Sequence, residues 1–468
     1  MVENKDIKAL FARLVNQLEA IVPYADACYI ENTTHSLSKD KTGIEANSEA
    51  SAGVKIRAFD GYQYHEVCVQ GWQPPALQAE VQLLLTRLKS RAPAPQTTRS
   101  LSPKIDKEMI EKDFSATPLI DPESITPAEK AHLITRLHEQ ALAASDDIIN
   151  CRVSYREEEE RRVYVNRNRK LTSRWTGCTI SIMPFVRTPD GQTRYDHHSR
   201  FANGFEVKSI PPDDLAELFA RAPKVRAASR MLPGKYTCVL SPNVAGILAH
   251  ESFGHGMESD TIAKGRAKAE EYLGKRIAPA AVNICDDPGI LGAHGSVFFD
   301  DEGILPRRVF LVKSGIVTEP MTESLSAWQR NYTRSCNGRA EAFDHKVYAR
   351  MTNTFFLPGK DDPKQMVKGV RNGFYLHHAG SGMEDPKGWG VQVAGVLCER
   401  IKNGKLTGEL FYEASISGYL PVILGNIAAV GKDFSITKDA GFCGKGHKEW
   451  VRVSSGGPHL LIKELDLS

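Results

Sequence analysis

The residues best equipped for chemistry lie in the segment Ser241-Pro-Asn-Val-Ala-Gly-Ile-Leu-Ala-His-Glu-Ser-Phe-Gly-His-Gly256. Two imidazoles can hold a divalent metal, and a carboxylate beside one of them can move a proton for a water that attacks a carbonyl. Serine suits the cap of a helix, proline its first turn, and Gly254 and Gly256 its end, so His250, Glu251 and His255 stand where a helix finishes. In the familiar His-Glu-x-x-His spacing, four residues advance ~400° and leave both histidines on one face. Here the spacing is one residue longer, and five residues advance ~500°, placing the imidazoles ~140° apart on an ideal helix. Both can reach one metal only if the helix breaks or widens into a π-type turn after Phe253. Gly254 and Gly256 are expected to ease that distortion through their freedom of backbone angle. Taken alone, the pattern leaves open a pair of ordinary histidines, one exposed and one hydrogen-bonded in the core.

The elements that must position this segment follow from apolar periodicity. Ile7, Leu10, Phe11, Leu14, Leu18 and Ile21 recur at helical spacing, and Gly53–Phe59 alternates as a strand before the Asp60-Gly61 turn. Residues from about 91 to 125, rich in proline and poor in periodic apolar positions, read as an extended crossing segment. Thr126-Pro127-Ala128-Glu129 carries a cap hydroxyl, a proline at the first helical position and a glutamate three residues after the cap, which predicts a helix to about residue 143. From Cys151 to Ser209 the alternation is strand-like, with turns expected at the charged run Arg156–Arg162 and at Thr188–Gly191. Pro211-Pro212 opens a short helix. From about residue 233 the texture changes to short β-type runs, with helices near 242–254, 261–274 and 363–372. The fold class is α+β. An N-terminal α/β domain, residues 1–225, has helices on an antiparallel-rich sheet, and a C-terminal β-rich domain, residues 226–468, forms a sandwich or irregular barrel that carries the His-Glu helix.

The 468-residue chain has 60 basic and 57 acidic side chains and a formal charge of +3, which gives no reason to propose nucleic acid as a direct partner. The basic and aromatic mixture at Arg167, Arg169, Lys170 and Trp175 could touch nucleic acid, but reads more plainly as a solvated sheet face. The amino-terminal residues lack the apolar core of a signal peptide, and no run approaches the ~18 apolar residues of a membrane span. The nine scattered cysteines do not suggest a disulfide framework. A reducing cytoplasm is expected, with Cys28, Cys68, Cys151, Cys178, Cys238, Cys285, Cys336 and Cys398 as small buried hydrophobes.

Four separated blocks resemble the TldD/PmbA family, the "modulator of DNA gyrase" metallopeptidases: Ala249-His-Glu-Ser-Phe-Gly-His-Gly-Met-Glu-Ser-Asp260, Phe299-Asp-Asp-Glu-Gly-Ile-Leu-Pro306, Arg350-Met-Thr-Asn-Thr354 and Gly441-Phe-Cys-Gly-Lys445. The resemblance spans nearly the whole chain and implies one Zn²⁺ per chain, held by His250, His255 and Cys443, with Glu251 as catalytic base. The donor chemistry agrees, since two neutral imidazoles and one thiolate leave zinc a net positive charge and an open fourth position. Glu258 and Asp260 are candidates to accept a ring N–H from a ligating histidine, ordinary loop caps being the plainer alternative. His294, His377, His378, His447 and Arg350 are candidate oxyanion donors, and Asp300, Asp301 and Glu302 read as a structural turn. The resemblance further implies hydrolysis of short or unfolded polypeptides or peptide precursors inside a dimer cavity. That dimer is either a homodimer or a heterodimer with a paralogue that lacks the ligands. This chain departs from the family at His447, where glutamine is expected, and at Ser252-Phe253, in place of smaller aliphatic residues.

Two other readings compete. The family's name suggests a non-enzymatic regulator acting on gyrase or a toxin–antitoxin partner, which would have no need of Glu251. A blue-copper site also uses two histidines and a cysteine, but Met257 is a poor candidate for its axial ligand and Glu251 is left unexplained.

Overall fold

The computed structural model describes residues 2–90, 100–436, 440–446 and 448–468. Residues 91–99 of the expected crossing segment and His447 lie outside the described residues. The first sheet is built around four long strands, Tyr24–Asp40, Gly43–Phe59, Ile148–Asn166 and Arg169–Arg187. Its pairings are antiparallel except for the edge strand Ile110–Ser115, which runs parallel to Arg169–Arg187 within the expected crossing segment.

Alternation sends successive side chains to opposite faces. Ala27, Tyr29, Val163 and Val165 pack under the helices Asn4–Glu19 and Pro74–Lys89. The interleaved Cys28, Ile30 and Tyr164 face Phe299 of the second domain. Both faces of the sheet are therefore covered. The capping box of Thr126 and Glu129 starts the helix Pro127–Ala144 as the sequence predicts, whereas Pro74–Lys89 was not anticipated.

Burial on both faces corrects two expectations. The charged run Arg156–Arg162 is not a turn but the middle of the strand Ile148–Asn166. Its charges point into partners on either side: Glu157 accepts from Lys130 of a covering helix at 2.6 Å, and Arg162 meets Asp301 of the second domain at 3.0 Å. Arg167 and Lys170 are exposed as expected, but Arg169 and Trp175 are buried rather than solvated, Trp175 lying with its ring 3.4 Å from the Arg452 guanidinium. Thr188–Gly191 does form a hairpin turn.

In the second domain the strands Gly390–Lys402, Asn372–His378, Gly234–Leu240, Leu460–Leu467 and Lys405–Tyr419 pair in that order, and the last closes back on the first to make a barrel. A neighbouring sheet includes Ile284–Asp286, Asn353–Phe356 and Lys448–Gly457. One hydrophobic core joins the barrel and this sheet, with Val244 and Leu248 of the helix Pro242–Ala249 in it. The helix can lie so close to Lys448–Gly457 because Gly246 has no side chain, and a Cβ there would strike the backbone of Gly456.

Candidate metal centre

Ser241 caps the helix Pro242–Ala249 by accepting from the Val244 amide, and its own hydroxyl donates to the carbonyl of His377 at 2.6 Å. At His250 the helix widens into a π turn over His250–Gly254, followed by a tight 3₁₀ turn over His255–Met257. The widening begins earlier than the position after Phe253 that spacing alone suggests. A π turn closes from residue i to i+5, so His255 comes round over His250 despite the long spacing. The two rings stand 5.5 Å apart between centroids and nearly perpendicular, at 89°. Gly254 has φ −62°, an angle open to any residue, which corrects the expected role of glycine freedom. What Gly254 supplies is room, since a Cβ there would overlap the sulfur of Met351.

Cys443 arrives from a hairpin, on the strand Gly441–Lys445 paired with Lys448–Gly457. Its Sγ lies 3.1 Å from His255 Nε2 and 3.1 Å from Arg350 Nη2. The ligand atoms of His250, His255 and Cys443 all fall within 4.8 Å of one another. Tetrahedral zinc, with bonds of ~2.0 Å to nitrogen and ~2.3 Å to sulfur, separates its ligand atoms by roughly 3.5 Å, so this donor set fits such an ion. Burial alone would raise the Cys443 thiol, but His250 and His255 beside it pull its pKa well below the usual thiol range, towards the thiolate that metals take. The same attraction outweighs burial at both imidazoles and raises them.

Behind the histidines, Glu258 is 1% exposed and gathers two cations and an imidazole. Arg350 Nε donates to its Oε1 at 3.0 Å, Lys445 Nζ lies 3.0 Å from Oε2, and His255 Nδ1 lies 3.6 Å from the same oxygen. Burial favours the neutral acid, yet Lys445, His255 and Arg350 together hold Glu258 well below the usual carboxylate range. Asp260 meets Lys445 at 2.7 Å rather than a histidine. Lys445, not singled out from the sequence, therefore ties both carboxylates to the cysteine strand.

Glu251 is buried, and burial raises its pKa. With His250 it lines a cavity of about 230 Å³, whose other walls include Asn243, Gly380, Ser381 and Phe442. The strand Ser381–Asp385, at the edge of the barrel sheet, passes over Glu251 at Gly382. The Gly380-Ser-Gly382 run is the sequence signal for this close approach.

The remaining candidates go elsewhere. Arg350 binds the Cys443 carbonyl at 2.9 Å as well as its sulfur. His294 is buried, with Nδ1 3.0 Å from the Gly441 carbonyl and Nε2 3.4 Å from Glu158, so it braces the cysteine strand. His377 pairs with Glu399 at 2.9 Å and His378 with Asp196 at 2.8 Å beside a neighbouring cavity. Met257 is sealed in the hydrophobic core. Asp300, Asp301 and Glu302 form a structural turn: Asp300 accepts from the amides of Glu302, Ile304 and Gly338, and Glu302 meets Arg57 at 3.0 Å.

Residues 233–468 match the family described as the PmbA/TldA metallopeptidase C-terminal domain, and residues 120–231 match its central domain. The chain is 28% identical over 456 residues to a metalloprotease of Methanothermobacter thermautotrophicus, covering 96% of each protein. It is 29% identical over 308 residues to a zinc metalloprotease TldD homologue of Saccharolobus solfataricus, covering 64% of this chain and 67% of that one. Among solved structures, TldE from Thermococcus kodakarensis superposes with a TM-score of 0.76 at 13% identity over 98% of this chain and 100% of its own, which establishes a shared fold.

Proposed function

Because the chain belongs to the PmbA/TldD metallopeptidase family, we propose that it is a zinc-dependent peptidase with His250, His255 and Cys443 as metal ligands and Glu251 as general base. The observation that carries this reading is the meeting of the three donor side chains within 4.8 Å, produced by the π turn and the cysteine hairpin. Bound zinc would acidify a water and polarise the scissile carbonyl. Glu251, at the wall of the cavity beside His250, takes the proton from the attacking water and returns it to the leaving nitrogen. Glu258 fixes the tautomer of His255 by facing its Nδ1, which leaves Nε2 for the metal. Arg350 orients the cysteine through both its carbonyl and its sulfur.

Short or unfolded polypeptides are the proposed substrates. The edge strand Ser381–Asp385 beside Glu251 supports this, because an extended chain can pair with a sheet edge through its backbone with little demand on side chains. Two copies enclosing the active sites, or one copy with a ligand-lacking paralogue, complete the proposal. All nine cysteines are free, which suits a reducing compartment such as the cytoplasm. Among the described residues, no helix is long and apolar enough to cross a membrane.

The deciding experiment measures metal content and cleavage of an unfolded protein for the wild type and for Glu251→Gln. About one zinc per chain in both, with cleavage only in the wild type, supports the assignment. Metal-free protein, or equal cleavage by the two, overturns it.

A further inference from the structure

The sequence contains two His-His pairs, His197-His198 and His377-His378, outside the set of proposed metal ligands and base. The fold brings them to one place. The first pair leads into the strand His198–Ala202 of the first sheet, and the second ends the barrel strand Asn372–His378. His197 and His378 meet edge to face with ring centroids 4.9 Å apart. Beside them lies Asp196, whose side chain is 0% exposed. Its Oδ2 accepts from Arg221 Nε at 2.6 Å, and its Oδ1 accepts from the His197 amide at 2.8 Å. His378 Nε2 lies 2.8 Å from that same Oδ1. Yet neither ring nitrogen of His378 is aligned for a hydrogen bond with any group among the described residues. Close approach without an aligned hydrogen bond leaves both atoms with lone pairs that a shared cation could take.

We propose that Asp196, His197 and His378 form a second metal site, distinct from the His250–His255–Cys443 cluster, for a borderline divalent cation such as Zn²⁺, Co²⁺ or Ni²⁺. The three ligand atoms lie within 4.8 Å of one another. Two imidazoles and one carboxylate are nitrogen and oxygen donors suited to these ions and leave coordination positions open. Arg221 holds the far carboxylate oxygen, the supporting role that carboxylate ligands require, while its positive charge makes this site weaker than the cysteine site. An ion reaches it through an open cavity of about 460 Å³ lined by His197, His198, His377, His378 and Arg221. Two ligands come from the first domain and one from the barrel, so the bound ion fastens the domains together. His197 also lines the cavity that holds Glu251, which puts the fastening at the rim of the proposed active site.

The test removes the cysteine site first. A variant carrying His255→Ala and Cys443→Ser, titrated with zinc by calorimetry, is expected still to bind one ion and to melt at higher temperature when zinc is present. Adding His378→Ala should abolish both effects. A double variant that binds no zinc, or a triple variant that binds it equally well, overturns the proposal. If the double variant fails to fold, wild-type protein titrated with cobalt decides the matter. A second equivalent that binds without adding to the sulfur charge-transfer band, and is lost in His378→Gln, upholds the site. Saturation after one equivalent overturns it.

Discussion

Glu251 lies directly against Gly382, so close that a single methyl group at position 382 would overlap its Cγ. The edge strand thus helps set the position of the proposed base. Gly382→Ala should push the carboxylate aside and lower kcat about 100-fold, the scale expected for an ångström-sized misplacement. Zinc content should be unchanged. Equal loss of zinc and activity would show instead that the strand supports the whole centre.

Gly254→Ala tests the π turn itself. The added methyl meets Met351, which is buried in the core and has little room to yield. Overpacking of this kind costs about 1–3 kcal/mol. It should also displace His255 and reduce zinc affinity well beyond what the loss of stability explains. Gly254→Ala combined with Met351→Ala should recover part of that affinity, and the comparison is read by zinc titration.

Arg350 is fully buried between Glu258 and Cys443. Arg350→Met leaves the Glu258 carboxylate short of a partner, and breaking a buried pair from one side costs about 3–5 kcal/mol. Arg350→Lys should rescue little, because one ammonium cannot reach both residues as the planar fork does. Denaturant unfolding of the three proteins gives the answer, and a lysine variant as stable as wild type would refute the argument.

Glu160 sits between the domains, where burial pushes its pKa up but Arg162, Arg452 and Arg339 more than reverse the effect. Its folded pKa is therefore below the unfolded value of ~4.3. The stabilisation is fully present above that unfolded value and is lost as the pH falls through the folded pKa. Melting curves of wild type and Glu160→Gln should differ at neutral pH and converge as the solution is acidified through the folded pKa. A difference that stays constant with pH would assign the effect of the mutation to packing.

Local signals were legible where one short stretch decides the structure. The Thr126–Glu129 capping box and the Ser241-Pro242 start each announce a helix, and for a shared metal the five-residue spacing of His250 and His255 requires a broken or widened helix, of which the structure contains the second. The helix Pro74–Lys89 could have been found from Leu77, Val81, Leu84 and Leu85, which recur at helical spacing. What could not be read locally was set by partners distant in sequence. The run Arg156–Arg162 looks like a turn until both faces of its strand are known to be covered. Cys443 stands 188 residues from His255 and is set apart from the other buried thiols by neighbours distant in sequence, so residue chemistry alone does not single it out. Lys445 and Arg350 owe their roles to Glu258, a carboxylate whose burial no pattern reveals.

The π turn also acts as a change of phase. Every residue after it is rotated relative to an uninterrupted helix, so His255 and Glu258 are re-aimed together, one at the cysteine and the other at the far side of the same ring. Deleting Ser252 would restore a four-residue interval between the histidines while shifting the downstream chain by one position. The result would be a helix that presents its histidines well and has lost the carboxylate, lysine and arginine that hold them. In this protein the spacing of the histidines and the wiring behind them form one mechanical unit, and neither can change length alone.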